Sequence, residues 1–324
     1  MRKTDRVPVI PQVFGHAAFI NRVPLNDYLK DGRVLAECQV NAMERYGYDA
    51  VFAMMDVNVE AEAMGARLVY REGLYPYIKY PFLKADALPS NLVLPDPLND
   101  GRMPEMLEAI HIMRRALDGK TLVTSALLGP LTTVCQLLGT ETALFLLTDD
   151  RDQFARYLQF AKRLAIEYGA AQVKAGSQVP ILFDPAASPA VVSPAMFREI
   201  EAPMLAEINA ALMKAGASGT WLHIAGPTSK ILPYLNDTGV AVVNFDYNVL
   251  PEDAMAALPN TCLDGNVKSL SFCLAEPKQV RAECVTLLKK FEGRGGFILS
   301  SGCEIPMEAN PDCIKAMVDA ASRR

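Results

Sequence analysis

Short apolar runs rich in β-branched residues alternate along the chain with longer amphipathic stretches. Eight runs have the length of a strand, and they lie at residues 7–14, 49–55, 120–126, 178–183, 219–224, 240–245, 261–265 and 295–300. Helix-length stretches separate most of them, for example residues 151–176, 194–216 and 277–291. Strands that are apolar on both faces are typical of parallel sheets covered by helices. Eight such units in 324 residues predict a closed (β/α)8 TIM barrel of the α/β class rather than an open sheet.

The interval between the second and third predicted strands is longer than the others. Residues 66–82 predict a hairpin with Gly73 at its turn, and residues 86–100 predict a proline-rich loop. We expect both to lie over one end of the barrel. Since no linker-like stretch divides the sequence, residues 1–324 are predicted to form a single domain.

Composition narrows the class of protein. The chain is 51% hydrophobic and 21% charged with a net charge of −5, and its basic residues are scattered, so we expect no nucleic-acid partner. Its apolar runs stay below the roughly 18 residues of a membrane-spanning helix, so we expect no membrane association. The seven cysteines are odd in number and widely spaced, which favours free thiols and a cytoplasmic location.

Polar side chains gather where the predicted strands end, and barrel enzymes carry their active sites at the C-terminal ends of their strands. The polar residues at these positions include Gln12, His16, Asp56, Asn58, Asp184, Ser188, His223, Asp246, Asp264, Asn266, Cys303 and Glu304.

Three of these residues predict a metal site. His223, Asp246 and Cys303 follow the fifth, sixth and eighth predicted strands. Imidazole, carboxylate and thiolate are zinc ligands, and three protein ligands leave one position open for chemistry. The alternative is a histidine hydrogen-bonded to Asp246 with no metal.

Other residues at the strand ends leave two interpretations open. Asp56 either caps the following helix or takes part in catalysis. Asp184 either forms a turn before Pro185 or contacts the substrate. Asp264 and Asn266 are predicted to be turn residues, with binding of a polar ligand as the alternative.

Six stretches together resemble the uroporphyrinogen decarboxylase superfamily over most of the chain. They are YGYDAVFAMMDVNVEAEAMGA, LLGPLTTVCQLLGT, AAQVKAGSQVPILFDPAAS, VSPAMFREIEAPML, LHIAGPTSKILPYLNDTG and GRGGFILSSGCEIP. The resemblance implies a (β/α)8 fold. It also implies one of two activities, since the superfamily contains heme-pathway decarboxylases and cobalamin-dependent methyltransferases of the methylcobalamin:coenzyme M type.

The details of the resemblance favour the methyltransferases. The decarboxylases carry an arginine-rich motif after the first strand, where this chain reads PQVFGHAAF and has no arginine from Pro11 until Arg22. The methyltransferases bind zinc through a His-x-Cys pair and a distant cysteine. His223 and Cys303 match these positions, Ala225 replaces the middle cysteine, and Asp246 falls where the methyltransferases carry an acidic residue.

The function implied by the resemblance is zinc-assisted methyl transfer. The methyl group would pass between methylcobalamin, free or on a separate corrinoid protein, and a small thiol or folate acceptor. Asp56 and Asp184 would be the catalytic residues that line the pocket and position the acceptor, while His223, Asp246 and Cys303 would hold zinc. Two alternatives stay open: a metal-free decarboxylase of an unidentified acid that uses Asp56, and a non-catalytic barrel that binds a corrinoid or tetrapyrrole.

Overall fold

The computed structural model describes residues 5–83 and 89–322. Its strands are Ala50–Ala53 (β1), Leu68–Arg71 (β2), Leu74–Ile78 (β3), Leu122–Leu128 (β4), Val179–Phe183 (β5), Trp221–His223 (β6), Val242–Phe245 (β7), Cys262–Val267 (β8) and Phe297–Ser301 (β9). Apart from β2 and β3 they pair in parallel, in the order β1-β4-β5-β6-β7-β8-β9. This sheet curls into a TIM-like barrel, as the alternation of strands and helices predicted.

Helices cover the outside of the sheet. They are Gly15–Ile20 (α1), Leu25–Tyr28 (α2), Gly32–Tyr46 (α3), Val59–Ala63 (α4), Met103–Ala116 (α5), Pro130–Leu138 (α6), Thr140–Asp149 (α7), Arg151–Ala175 (α8), Pro194–Met196 (α9), Ala202–Lys214 (α10), Pro251–Ala257 (α11), Ser271–Leu274 (α12), Pro277–Lys290 (α13) and Pro311–Ala321 (α14). A π-helical turn at Phe197–Glu201 separates α9 from α10. Within the described residues no single helix has the length and apolarity to cross a bilayer, and one sharply bent pair, α6 with α7, passes by length and composition only.

The N-terminal segment closes the barrel between β9 and β1. Val9 forms a single parallel bridge with Leu299, and its carbonyl accepts from the backbone N–H of Asp49 at 2.9 Å. The predicted first strand, residues 7–14, is therefore an extended segment rather than a full strand. The reason lies in Pro8 and Pro11, which have no N–H to donate to a sheet.

Alternation along the strands separates two apolar cores. Trp221 packs inside the barrel with Ile10, Phe52 and Ile181, whereas Leu222, the next residue, belongs to the larger core between sheet and helices. His223 therefore returns to the barrel interior at the C-terminal end of β6.

The strands β2 and β3 form an antiparallel hairpin, and Tyr75 of β3 contacts Glu304 in the loop after β9. Gly73 occupies the turn with a φ of +67°, a conformation that favours glycine. The predicted proline-rich loop at 86–100 begins within residues 84–88, which lie outside the described residues. From Pro89 onward the chain makes a short 3-10 turn, Pro89–Asn91, and then runs without regular structure to α5.

Candidate functional site

His223 lies at the centre of the polar group at the barrel mouth. Its side chain is buried, and its ring packs against Phe183 with 4.9 Å between ring centroids. Its Nδ1 lies 3.2 Å from Nε2 of Gln12, and its Nε2 lies 3.8 Å from Sγ of Cys303. Both ring nitrogens therefore face polar partners, one from each chain segment that flanks the barrel closure.

Burial controls the charge of this imidazole. It lowers the pKa of His223 to about 4, while the charge of Asp246 and the nearby Asn244 amide act in the opposite direction. The ring is therefore neutral at pH 7, and one of its nitrogens carries a free lone pair.

Cys303 follows β9 in a loop that is fixed on both sides. Its carbonyl accepts from Oγ of Ser269 at 2.8 Å. A Cβ on the preceding Gly302 would lie 2.7 Å from the backbone nitrogen of Tyr247, so only glycine allows this close approach. Burial is the main cause that raises the pKa of the Cys303 thiol. The sulfur therefore keeps its proton at neutral pH unless a cation compensates the thiolate.

Asp246 follows β7 and lies beside the other two predicted ligands. The Gly302 Cβ position is 3.4 Å from the Cα of Asp246, and the charge of Asp246 influences the pKa of both His223 and Cys303. Its Oδ1 accepts from the backbone N–H of Asn248 at 2.9 Å and from Nδ2 of Asn248 at 2.6 Å. One carboxylate oxygen is thus already hydrogen-bonded within its own loop.

The spacing of nitrogen and sulfur suits a shared metal ion. A tetrahedral zinc ion holds its nitrogen and sulfur ligands about 3.5 Å apart, and Nε2 of His223 and Sγ of Cys303 are separated by 3.8 Å. Within the described chain no three His, Cys, Asp or Glu side chains converge closely enough to form a ready metal site. The donor types fit zinc, and the nitrogen of His223 and the sulfur of Cys303 are spaced for it.

Asp56 lies in a buried ion pair instead of projecting freely into the mouth. Its Oδ2 is 2.6 Å from a guanidinium nitrogen of Arg102, and its Oδ1 accepts from the backbone N–H of Asn58 at 2.8 Å. Arg102 also binds Glu62. Both oxygens of Asp56 are therefore engaged by the protein, and the helix that follows, α4, has Asn58 at its N-cap with no side-chain cap hydrogen bond.

The side chain of Asp184 contacts the start of α6. Its Oδ1 accepts from the backbone N–H of Thr132 at 2.8 Å and from its hydroxyl at 2.6 Å. Its Oδ2 faces Glu201, and both carboxyls are fully buried. Burial is the main cause that raises the pKa of Glu201 well above its ordinary value, and the nearby Asp184 adds to it. The raised pKa of Glu201 favours one proton held between the two carboxyls, and Oδ1 of Asp184 accepts hydrogen bonds at the start of α6.

Family comparison adds to this geometry. The uroporphyrinogen decarboxylase family model matches residues 1–324. The chain belongs to the uroporphyrinogen decarboxylase family.

Relatives of the chain include two enzymes named as methyltransferases. The methylated-thiol–coenzyme M methyltransferase of Methanosarcina mazei is 28% identical over 217 residues, which are 67% of this chain and 57% of that protein. The methylcobamide:CoM methyltransferase MtaA of Methanosarcina barkeri is 28% identical over 295 residues, 89% of this chain and 83% of that protein.

A solved structure of a methyltransferase from Methanosarcina mazei has the same fold as this member of the uroporphyrinogen decarboxylase family. The TM-score is 0.90 at 24% identity, and the match covers 98% of this chain and 94% of the other. The predicted family resemblance is confirmed.

Several residues of this uroporphyrinogen decarboxylase family member have a place that the sequence did not predict. Asp264 and Asn266 lie within β8, so their prediction as turn residues was wrong. Asn244 interrupts an apolar strand, and such an interruption is the signal that could have placed it in the barrel interior.

Glu304 and Tyr75 join the hairpin to the barrel. The Tyr75 hydroxyl donates to Oε1 of Glu304 at 2.5 Å, and the backbone N–H of Gly15 donates to the same hydroxyl at 2.9 Å. Burial raises the pKa of Glu304 to about 7, and its bonds with Tyr75 and Gly15 oppose that shift. Because Glu304 directly follows Cys303, the position of the hairpin is tied to the position of the thiol.

Proposed function

We propose that this chain is a methyltransferase. It would move a methyl group between methylcobalamin, free or on a separate corrinoid protein, and a small thiol or folate acceptor. The observation that carries the proposal is the 3.8 Å approach of Nε2 of His223 to Sγ of Cys303 at the barrel mouth. The relatives named as coenzyme M methyltransferases support it.

Zinc is part of the proposal, and His223, Asp246 and Cys303 would hold it. When bound, zinc supplies Lewis acidity that lowers the pKa of an acceptor thiol. His223 contributes a neutral imidazole, because burial lowers its pKa to about 4. Cys303 contributes a thiol that must release its proton to become a ligand, since burial raises its pKa. Ala225, where the resemblance places a further cysteine, leaves room for Asp246 as the third ligand.

Asp56 and Asp184 hold the walls of the pocket in this proposal. Arg102 forms an ion pair with Asp56, and the backbone N–H of Thr132 in the first turn of α6 donates to Asp184. Arg102 is also bound to Glu62, so this buried guanidinium is not free to pair with the carboxylates of uroporphyrinogen. That arrangement favours the methyltransferase over the heme-pathway reaction.

The proposed setting is a reducing compartment such as the cytoplasm. All seven cysteines are free thiols in the described structure, and the mechanism needs Cys303 reduced. A metal-free decarboxylase remains the second candidate, because Ala225 removes one thiolate and Asn248 already binds one oxygen of Asp246.

Zinc content and corrinoid spectroscopy test the proposal together. Protein purified without chelator is analysed for zinc, then mixed with methylcobalamin and candidate thiols or folates while the corrinoid spectrum is followed. We expect zinc to be present and methylcobalamin to be demethylated by at least one acceptor.

Cys303→Ser should lower zinc affinity at least ~100-fold and abolish transfer, because a neutral hydroxyl is a poor replacement for a thiolate. Cys135→Ser is the matched control, since Cys135 is a half-buried thiol on α6, away from His223. Equal zinc content in both variants would contradict the ligand assignment. A zinc-free wild-type protein that leaves methylcobalamin intact with every acceptor would favour the metal-free decarboxylase.

A further inference from the structure

A second pocket lies between the turn of the hairpin and the segment that joins α1 to α2. Its volume is about 380 Å³, which is within the range of small-molecule sites. Its walls include Phe19, Arg22, Leu25, Asn26, Glu72 and Met307. Neither His223 nor Cys303 lines this pocket, so it is separate from the candidate metal site.

Two opposite charges line the pocket without being paired. The side chains of Arg22 and Glu72 are exposed, and within the described chain neither forms an ion pair or a hydrogen bond, with each other or with another residue. The amide of Asn26 has no partner there either, and its Oδ1 is buried. Both charges are therefore available to a ligand, and an amide can donate to a carboxylate or accept from an ammonium group.

The backbone at Arg22 adopts a conformation that usually belongs to glycine. Its φ is +57°, and Asp118 is the only other non-glycine residue with a positive φ in the described chain. A side chain at such a position costs conformational energy that glycine would avoid. Residues of this kind are concentrated at binding and catalytic sites.

The rest of the pocket wall is largely apolar. The ring of Phe19 is 45% exposed, although Leu25 nearby is buried and Met307 half-buried. Burial of an exposed aromatic ring against an apolar ligand group is favourable. The pocket thus combines a cation, an anion and an apolar surface.

We propose that this pocket binds a free α-amino acid with an apolar side chain. Its carboxylate pairs with Arg22, its ammonium group pairs with Glu72, and its side chain packs against Phe19. An inorganic anion would satisfy Arg22 but be repelled by Glu72, and a simple amine would meet the reverse problem, whereas a zwitterion satisfies both charges. The inference goes beyond the proposed function and does not rest on it.

Isothermal titration calorimetry of the full chain with L-leucine tests the site. We expect L-leucine to bind with a Kd in the millimolar range or below. L-Leucinamide lacks the carboxylate, and isocaproate lacks the ammonium group. Each should bind at least ~10-fold more weakly than L-leucine, because each loses a hydrogen bond between charged groups.

Variants test the two charged residues. Arg22→Gly removes the guanidinium at a backbone conformation that glycine adopts readily, so it should weaken L-leucine binding at least ~10-fold without lowering Tm. Glu72→Gln removes the partner of the ammonium group, so the preference for L-leucine over isocaproate should shrink. Arg33→Gln is the matched control, because it removes an exposed arginine that pairs with Glu108 on another face, and L-leucine affinity should stay unchanged.

Several results would overturn the inference. They are no binding of L-leucine at millimolar concentration, equal binding of L-leucine and isocaproate, and an unchanged L-leucine affinity in Arg22→Gly. If Arg22→Gly does not fold, a Glu72→Gln protein with the wild-type preference for L-leucine overturns it as well.

Cys303→Ser separates this pocket from the barrel mouth. It should keep the wild-type affinity for L-leucine, whether or not the chain transfers methyl groups. Loss of L-leucine binding in that variant would place the amino acid at the metal site and overturn the inference. L-Leucine binding in a protein without zinc or methyl transfer would support the pocket and remove only the proposed function.

Discussion

Glu201→Gln should flatten the dependence of stability on pH. Glu201 and Asp184 are fully buried against each other, and burial is the main cause that raises the pKa of Glu201. In the unfolded chain both carboxyls lose their protons above about pH 4.5. The folded protein therefore binds one proton more than the unfolded chain at every pH between that value and the raised pKa. Stability is highest below this window and falls as the pH rises through it.

The magnitude follows from a single retained proton. One extra proton in the folded state lowers the free energy of unfolding by up to about 1.4 kcal/mol per pH unit, or about 2.7 kcal/mol from pH 5.5 to 7.5. A chain of 324 residues has an unfolding entropy of about 0.7 kcal/mol/K. The proton therefore accounts for a fall in Tm of up to about 4 °C. The glutamine amide of the variant can still donate to Asp184 but has no proton to release, so the variant should lose that much less.

Thermal melting at pH 5.5, 6.5 and 7.5 measures the effect. Glu199→Gln is the control, because Glu199 lies on the same π-helical turn but is exposed and paired with Arg198. We expect its Tm to follow the wild type at each pH. A constant offset between Glu201→Gln and the wild type across the range would refute the shared proton.

Two further changes test the neighbouring assignments. Asp56→Asn should lower the free energy of unfolding by about 3 kcal/mol in urea titrations, because it leaves the buried charge of Arg102 short of a partner. The control is Glu108→Gln in a surface ion pair, which should lower the free energy of unfolding by less than about 1 kcal/mol. Similar losses in the two variants would contradict the buried pair. Ala225→Cys should tighten zinc binding by at least ~10-fold in chelator competition, since it adds a thiolate two residues after His223, and unchanged affinity would remove His223 from the ligand set.

Strand periodicity was enough to predict the barrel and the end of it that carries the polar groups. His223 and Cys303 came together as expected because both end strands of a parallel sheet, where geometry brings strand ends to one rim. The length of the first strand was overestimated, since Pro8 and Pro11 interrupt its hydrogen bonding.

The roles of the acidic residues could not be predicted in the same way. Asp56 pairs with Arg102, 46 residues further along the chain. Asp184 accepts hydrogen bonds at the start of α6 and lies against Glu201. Those pairings depend on the direction in which each carboxylate projects from its loop. Hydrophobic periodicity does not predict that direction. Asp264 was predicted to be a turn residue for a related reason, since a polar residue inside the barrel breaks the apolar pattern of a strand.

The closure of the barrel at Val9 and Leu299 also determines when the site can exist during synthesis. Gln12 and Cys303, the two side chains beside the nitrogens of His223, come from the two segments that meet there, and the backbone of Gln12 binds Ser301 across 289 residues of sequence. A ribosome-bound chain that has already made Gln12 and His223 would still lack Cys303 until the last strand has emerged. The pair of His223 and Cys303, on which the proposed zinc site rests, would therefore form only at the final step of folding.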